Sequence, residues 1–376
     1  MKINQWTLGL AAVGVVSLAS AVNAEESTMN SIQTALSSTT ISGYVDTSVE
    51  WDNGDDYANF GGSVPFRSGK ADGFNLNVVK LTIEKPMDES EWAAGYKVDL
   101  LFGQDANALA TGSPTSGDFS TENADFGIKQ AYVALRAPVG NGIDMKLGVF
   151  DTIIGYEVFE AGSNPNFTRS YGYGIEPTQH TGLLASYRVT DNIAVAAGVA
   201  NSEYPSINAK DVNDSDKTWM ASASFSAPED MGFLSGSTVY GGVVLGSGSS
   251  VSPGNGGPVG AQDNYYAGAT FNTPVAGLKA GAAFDVATDI GGVSGSDAWS
   301  LAVYLSYQAT EKLSLHGRVE QIDYQGGTGD ITALTGTAQY DLWANVISRA
   351  ELRYDNQKGA GNEDAVGAFL NFIYVF

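Results

Sequence analysis

Residues 92–102, with the sequence WAAGYKVDLLF, alternate in polarity from one residue to the next. One face of the extended chain carries the apolar side chains Trp92, Ala94, Tyr96, Val98, Leu100 and Phe102. The opposite face carries the charged residues Lys97 and Asp99. Because successive side chains of a β-strand point to opposite faces, this stretch predicts a strand with one apolar and one charged side. Its length of about ten residues is typical of a strand that crosses a bilayer.

The same alternation recurs along the chain in about sixteen segments, separated by polar, glycine-rich connections. The predicted strands cover residues 39–52, 74–85, 91–103, 127–137, 142–154, 179–190, 193–200, 218–227, 237–246, 264–273, 278–288, 298–309, 313–323, 331–342, 344–355 and 364–376. Connections of a few residues alternate with long ones such as 104–126 and 155–178. Outer-membrane barrels have short periplasmic turns and long extracellular loops, so we expect an all-β, closed antiparallel transmembrane β-barrel of about sixteen strands.

Charged residues are scarce and fall on one face of the predicted strands. They form 16% of the chain, whereas an average soluble domain has about 25%. Within the strands they are predicted to point inward without any exception in register: Lys80, Glu84, Lys97, Asp99, Lys129, Arg136, Lys146, Arg188, Lys279, Asp285, Arg318, Glu320, Arg349, Glu351 and Arg353. A Lys or Arg facing the middle of a bilayer costs about 2–4 kcal/mol, so we expect the opposite face to contact lipid. The alternative, a soluble β-sandwich, rarely sustains this pattern through so many strands.

Residues 1–24 are predicted to be a cleaved signal peptide. Lys2 supplies its positive charge, residues 8–18 its apolar stretch, and Val22-Asn23-Ala24 a small-residue cleavage site. Residues 25–38 are expected to form a short periplasmic extension, and residues 39–376 the barrel. The sequence contains no cysteine, which excludes disulfides and thiolate chemistry. No later stretch reaches the roughly eighteen apolar residues of a spanning helix, so we expect the chain to span a membrane as a closed barrel.

The last predicted strand ends the chain on an aromatic residue. Its apolar face consists of Val366, Ala368, Leu370, Phe372, Tyr374 and Phe376. A terminal aromatic residue after alternating apolar positions resembles the signal that the barrel-assembly machinery recognises. The sequence therefore predicts a location in the bacterial outer membrane, with outer-membrane lipid as one partner and the barrel-assembly machinery, through Phe376, as another.

Several stretches of the first half resemble the β-barrel porin-2 (OmpL-like) family of outer-membrane porins. They are LNVVKLTIEKP (76–86), KQAYVALRAPVGNGIDMKLGVF (129–150), GYE (155–157), NPNFTRSY (164–171) and IEPTQHTGLLASY (175–187). Their order and spacing fit the family over roughly residues 40–205, and the second half matches it only in its strand pattern. The resemblance implies a porin through which ions and small hydrophilic solutes diffuse passively, and it implies no particular solute.

Residues 155–178, the third long connection, are the candidate constriction loop. In general porins this loop folds into the lumen, and the resemblance implies the same placement here. The candidate pore-lining residues are Glu157, Glu160 and Glu176, opposed by Lys97, Lys129, Arg136, Lys146, Arg169 and Arg188. Rings of opposed charge set ion selectivity in pores. Alternatively, the same charges form ion pairs that only hold the loop against the wall, and His180 is expected to brace the loop.

Two acidic stretches, DNGDD (52–56) and DVNDSD (211–216), cluster the carboxylates that Ca²⁺ favours. The weak Ca²⁺ candidates are Asp52, Asp55, Asp56, Asp211, Asp214 and Asp216. Neither stretch is a complete EF-hand loop, and a solvated acidic surface is the alternative. The net charge of −23 argues against nucleic acid as a partner, because phosphates must be neutralised by Lys and Arg.

An enzyme would need a nucleophile or an activated water beside a tuned base. The two histidines, His180 and His316, lie on strands far apart in sequence and outside the common hydrolase motifs, so the sequence predicts no catalysis. The alternative to a porin is a barrel with a closed lumen that acts in surface binding or adhesion. Small residues on the lipid-facing stretches 194–201 and 219–227 would let barrel walls pack closely, and a homo-trimer is expected.

Overall fold

The computed structural model describes residues 38–52, 65–66, 70, 72–109, 125–211, 215–249, 259–325, 329–359 and 363–376. These residues form sixteen strands that close into one barrel. The strands are β1 (Thr40–Asp52), β2 (Gly73–Lys85), β3 (Ala94–Phe102), β4 (Phe126–Ala137), β5 (Ile143–Asp151), β6 (Gln179–Arg188), β7 (Ile193–Ala200), β8 (Thr218–Ser226), β9 (Thr238–Leu245), β10 (Asp263–Asn272), β11 (Leu278–Thr288), β12 (Asp297–Gln308), β13 (Leu313–Gln325), β14 (Gly329–Trp343), β15 (Val346–Lys358) and β16 (Asp364–Val375). The predicted all-β closed antiparallel barrel is confirmed.

The first and last strands close the ring. Each strand pairs with its neighbours in sequence, and β1 pairs antiparallel with β16, so that Thr47 lies opposite Phe372. Beyond β16, Phe376 and Gly43 exchange two backbone hydrogen bonds of 2.9 Å each. A closed ring leaves no strand edge with unpaired N–H and C=O groups, which is the condition for a sheet to lie in hydrocarbon.

The polarity of the barrel is the reverse of that of a soluble protein. Large apolar side chains point outward and are exposed, as shown by Leu147 (56% exposed), Trp219 (61%) and Leu352 (64%). The charged residues Arg318 and Arg353 point inward and are each only 1% exposed. An apolar outer face around the whole ring suits lipid, in which exposed apolar side chains are favourable.

A β-bulge in β4 corrects the expectation that every charge faces inward in one unbroken register. Lys129 and Arg136 are seven residues apart, so both can face inward only if β4 changes phase between them. The change lies where Asp99 pairs with Gln130 and Leu100 pairs with Ile128, which leaves Lys129 as an extra residue in β4. The register also shifts between Asp46 and Thr47 of β1, which leaves Asn77 as an extra residue in β2, and between Asp341 and Trp343 of β14. Bulges of this kind re-aim side chains beside functional sites.

The third loop is longer than predicted because β5 ends at Asp151, and it therefore comprises residues 152–178. It contains a 3-10 turn (Ala161–Ser163) and helix α2 (Tyr171–Ile175). The other short helical segments are α1 (Gln104–Ala108) and the 3-10 segments Glu229–Leu234 and Ile290–Gly292. Within the described ranges, no helix is both long enough and apolar enough to cross a membrane. The predicted signal peptide and residues 25–37 of the predicted extension lie outside the described residues.

Charge on the outer face should destabilise the barrel far more than charge on the inner face. We expect Leu147→Lys to lower the free energy of unfolding by about 2–4 kcal/mol, because Leu147 lies at the middle of β5 and faces lipid. The matched control is Ser186→Lys, whose side chain faces inward and lies opposite Asp144. Denaturant unfolding in lipid vesicles measures both, and equal destabilisation would contradict the assignment of inside and outside.

Candidate functional site

The third loop lies inside the ring and contacts its inner face on all sides. Its residues Ile153 and Ile154 pack in one apolar cluster with Leu184, Met220 and Val244 of β6, β8 and β9. Its other contacts reach β10 to β16 and β1 to β4. A loop that touches strands all around the barrel must cross its interior, and its position follows from the wall residues that hold it.

Three arginines of the wall donate to backbone carbonyls of the loop. Arg318 on β13 donates to the Thr168 carbonyl at 2.7 Å, and Arg353 on β15 donates to the Arg169 carbonyl at 2.7 Å. Arg349 on β15 donates to the carbonyls of residues 161 and 164 at 2.6 and 2.8 Å. Guanidinium groups have several fixed N–H donors, so each arginine can bind a carbonyl and a carboxylate together.

Two carboxylates of the same wall accept hydrogen bonds from backbone N–H groups of the loop. Glu351 accepts from the N–H groups of Phe167 and Thr168 at 2.6 and 2.9 Å. Glu320 accepts from the N–H group of Tyr171 at 2.7 Å, at the start of helix α2. Wall strands β13 and β15 therefore satisfy both donors and acceptors of the loop backbone, which has no strand partner of its own at this point.

Glu157, in the third loop, is held by side chains of strands β12 and β13. Its carboxylate lies 2.8 Å from Arg318 Nη1 and accepts a hydrogen bond from the Tyr304 hydroxyl at 3.1 Å. It also accepts from the backbone N–H of Ser170, within the loop itself, at 2.7 Å. With all of these partners, and only 4% exposed, Glu157 fastens the loop rather than facing open water.

Glu160 connects the loop to the other side of the barrel. Its carboxylate forms ion pairs with Lys80 on β2 and with Lys129, the bulge residue of β4, the latter at 3.4 Å. Burial alone would raise the pKa of Glu160, but the ammonium groups of Lys129 and Lys80 hold that pKa well below its ordinary value. The bulge in β4 therefore turns the Lys129 side chain toward the loop.

Glu176 faces another carboxyl group instead of a cation. Its side chain is hydrogen-bonded to Asp285 on β11, an arrangement that requires one of the two groups to carry a proton. Burial, together with the negative charge of Asp285 and then of Glu157, raises the pKa of Glu176 well above its ordinary value. This end of the loop is therefore held by a proton-dependent contact.

Arg169 does not oppose the acidic residues of the loop. Its guanidinium donates to the backbone carbonyls of Val158, Phe159 and Phe167, all within the same loop. It also lies 5.3 Å from the ring centre of Phe66, a residue of the first long connection. Arg169 therefore braces the internal shape of the third loop.

The remaining candidate cations lie between the loop and the short turns. Lys97 on β3 is 3.8 Å from Glu84 and 3.9 Å from Asp99. Arg136 and Asp144 form a two-pronged pair with hydrogen bonds of 2.6 and 2.8 Å. The last two candidates are Lys146, which lies over the ring of Tyr132, and Arg188, the final residue of β6.

Each of the two histidines contacts a hydroxyl group. His180 Nε2 is 3.1 Å from the Thr152 hydroxyl, at the first residue of the third loop, and His316 Nδ1 is 2.9 Å from the Ser306 hydroxyl. The part of the chain that the structure describes has no group of three His, Asp or Glu side chains placed to hold a metal ion. Of the Ca²⁺ candidates, Asp52, Asp211 and Asp216 are among the described residues, and Asp55, Asp56 and Asp214 lie outside them.

The sequence model of the family described as "Putative beta-barrel porin-2, OmpL-like" matches residues 38–372 of the chain. The chain belongs to this family of porins. The match extends through the second half of the barrel, where the sequence motifs alone showed no resemblance. Family and fold together support a location in the outer membrane. No curated protein matches the chain.

Solved porins share the fold of this porin at low sequence identity. The anion-selective porin from Comamonas acidovorans has a TM-score of 0.59 and 16% identity, over 90% of this chain and 99% of that chain. The trimer form of in-vitro folded OmpT of Vibrio cholerae has a TM-score of 0.56 and 13% identity, over 90% and 99%. The outer membrane channel DcaP of Acinetobacter baumannii has a TM-score of 0.56 and 12% identity, over 90% and 97%.

Several residues that hold the loop were placed on the inner face by the sequence pattern but were not recognised as a site. They are Lys80, Asp285, Arg318, Glu320, Arg349, Glu351 and Arg353. A signal for some of them exists in β13 and β15, because Arg318 and Glu320, and likewise Arg353 and Asp355, are opposite charges two residues apart. Such pairs share one face of a strand and indicate a dense polar interior.

The Glu176–Asp285 contact should make the attachment of the loop depend on pH. Because the folded-state pKa of Glu176 is raised, its contribution to stability is complete below the unfolded value of about 4.3 and is lost as pH rises above it. We expect the thermal midpoint of the porin to fall as pH rises above about 4, and to fall less in Asp285→Asn, which removes the facing charge. Thermal unfolding across this pH range measures the difference, and parallel curves for the two proteins would contradict the pairing.

Proposed function

We propose that this porin lets ions and small hydrophilic solutes diffuse passively through a water-filled lumen. The observation that carries the proposal is the reversed polarity of the ring, with exposed apolar residues outside and charged residues inside. Half-buried polar side chains such as Glu84, Lys97 and His316 lie on the inner face, where water can reach them. Family and fold point to a channel rather than to an enzyme.

The third loop is proposed to narrow this lumen. Most of its residues are buried. The half-buried residues include Glu160, Gly162 and Ser163, and we propose that solutes pass beside these three. Charges at such a passage act at close range and would set its ion selectivity. The ion pairs of Glu157 and Glu160 support the second hypothesis from the sequence as well, namely that these charges fasten the loop.

The long loops are proposed to face the outside of the cell and the short turns the periplasm, after removal of residues 1–24. Loss of that segment removes Lys2 and no acidic residue, so the mature chain is more negative than −23. Much of this charge lies in acidic loop sequences such as 52–56 and 211–216. Negative loops would raise the local cation concentration at the mouth of the channel.

A barrel with a closed lumen that binds partners through its loops is the second candidate. The observation that favours it is the tight packing of the third loop, in which Tyr171 is 0% exposed and Arg169 is 4% exposed. A loop that filled the whole cross-section would leave no path for ions. Conductance separates the two functions, because a closed barrel carries no current.

Purified protein in a planar bilayer should conduct, with a weak preference for cations at low salt. The Debye length is about 30 Å at 0.01 M salt and about 3 Å at 1 M, so the acidic loops act on the entrance only when salt is low. We expect the cation preference to fade or reverse as KCl rises at a fixed concentration ratio. A strong anion preference that did not depend on salt would show that the acidic loops stand clear of the ion path, and absence of conductance would favour the closed barrel.

We also propose that the porin assembles as a homo-trimer in outer-membrane lipid. Neighbouring strands β7 and β8 present small exposed side chains at Ala197, Ala221 and Ala223, which allow two walls to approach closely. The structural relative OmpT was solved in a trimer form. Mass measurement of the native protein in detergent tests this assembly.

Phe376 is proposed to be recognised by the barrel-assembly machinery as well as to close the ring. Phe376→Ala keeps the backbone hydrogen bonds to Gly43 and removes only the ring. We therefore expect the variant to refold in detergent as the wild type does, but to reach the outer membrane of cells in much smaller amounts. Impaired refolding in detergent would instead assign the role of Phe376 to barrel closure, and normal amounts in cells would contradict recognition.

A further inference from the structure

Charged side chains on the inner faces of β2 to β5 form three tiers between the third loop and the short turns. The upper tier, beside the loop, consists of Lys80, Asp99, Lys129, Asp151 and Glu160. The middle tier consists of Glu84, Lys97, Tyr132 and Lys146. The lower tier, beside the turns, is the pair Arg136 and Asp144. The balance of charge differs from tier to tier.

The upper tier has no excess of positive charge. Lys80 is 3.2 Å from Asp99, and Lys129 is 2.5 Å from Asp151. Glu160 of the loop pairs with both of these ammonium groups. Two cations therefore face three carboxylates, and all of them are engaged in holding the loop.

The lower tier is neutral. Arg136 Nε and Nη2 donate to the two oxygens of Asp144 at 2.6 and 2.8 Å, which is the strongest geometry available to an arginine–carboxylate pair. Neither partner is free to hold a solute. Any selectivity among charged solutes on this side of the barrel must therefore come from the middle tier.

The middle tier has an excess of positive charge. Lys97 lies 3.8 Å from Glu84, a loose pair, and the more distant Asp99 is already bound by Lys80. Lys146 has no carboxylate within 4.0 Å among the described residues, and its Nζ lies 4.9 Å from the ring centre of Tyr132. Glu84 is therefore the one carboxylate within 4.0 Å of either ammonium group, among the described residues, that is not also paired with a lysine of the upper tier.

Tyr132 lies between the two lysines, and the backbone beside it is built for close approach. It is opposite Lys97 on β3 and opposite Gly148 on β5. Gly148 has a φ of +136°, and the Ala131 carbonyl occupies the place that a Cβ atom would take. A glycine at this position lets the backbones of β4 and β5 approach closely beside Tyr132. The face of the Tyr132 ring attracts the Lys146 ammonium.

We infer that Lys97, Tyr132 and Lys146 form a binding subsite for the oxyanion of a permeating solute, a carboxylate or a phosphate. The inference rests on the proposed porin function and names the solute class that its inner wall would favour. A half-buried ammonium group without a protein counterion gains most from an anion that takes that place. Because lysine is a compact charge with rotatable donors, the subsite accepts carboxylate and phosphate alike.

The subsite is reached from the periplasmic side. Lys97 follows the first residue of β3 by three positions, and Lys146 follows the first residue of β5 by three positions. Three residues of a strand span about 10 Å, so both ammonium groups lie near that rim and below the third loop. An anion that enters from outside the cell would therefore meet the subsite after the third loop. An anion that leaves from the periplasm would meet the subsite before the third loop.

The test measures how acetate and inorganic phosphate reduce the KCl conductance of the full-length porin in a planar bilayer, from each side in turn. We expect both anions to reduce the current of the wild type more from one side than from the other. Removing one unit charge at about 4 Å changes the interaction by about 1 kcal/mol in water, a factor of about five. The double variant Lys97→Gln with Lys146→Gln removes two such charges and should need about thirtyfold more of either anion. The double variant with arginine at both positions keeps the charge and should respond as the wild type does.

Lys279→Gln is the matched control. Lys279 is an exposed lysine on the inward phase of β11, near the same rim but away from Tyr132. The Lys279→Gln substitution removes one positive charge near this rim and should leave the response to both anions unchanged. An equal loss of sensitivity in this control, or an unchanged response in the double glutamine variant, would overturn the subsite. Absence of wild-type conductance would instead contradict the porin function itself.

Discussion

The hydrogen bonds of the backbone govern this structure. A strand placed in hydrocarbon has no water to satisfy its N–H and C=O groups, so the sheet must close on itself. Closure is made by β1 and β16, and the two hydrogen bonds between Gly43 and Phe376 extend it to the last residue. Once the ring is closed, every strand has one face toward lipid and one toward the interior, and a charged side chain in the central part of a strand has only one tolerable direction.

That restriction concentrates charge in a small interior, where each group needs a partner. A buried charge without a partner is strongly unfavourable, and the third loop supplies many of the missing partners. Arg318, Arg349 and Arg353 donate to its carbonyls, while Glu320 and Glu351 accept from its N–H groups. The loop in turn has no strand partner for its backbone, so the wall side chains and the loop backbone satisfy each other's hydrogen-bonding groups.

The alternation of side chains predicted the sixteen strands because lipid excludes charge from one face of each. It could not predict the bulge at Lys129, since one extra residue changes the phase without changing the composition of the strand. It also could not predict that Glu157 meets Arg318, because these residues are brought together across the barrel and not along it. Membership of the porin family was predictable from short motifs such as residues 164–171, and these motifs belong to the loop that the wall holds.

The way in which the loop is held separates structural charges from those that can act on solutes. The arginines of β13 and β15 bind backbone carbonyls, so they fix the path of the loop whatever side chains it carries. The N–H donors of these buried arginines are already bound to the loop and to neighbouring carboxylates. The arginines therefore interact only weakly with a passing ion. A group that selects solutes must instead be reachable by water and incompletely neutralised. Lys97 and Lys146 meet both conditions. Both are half-buried, and the deeper carboxylates Asp99 and Asp151 are already paired with Lys80 and Lys129.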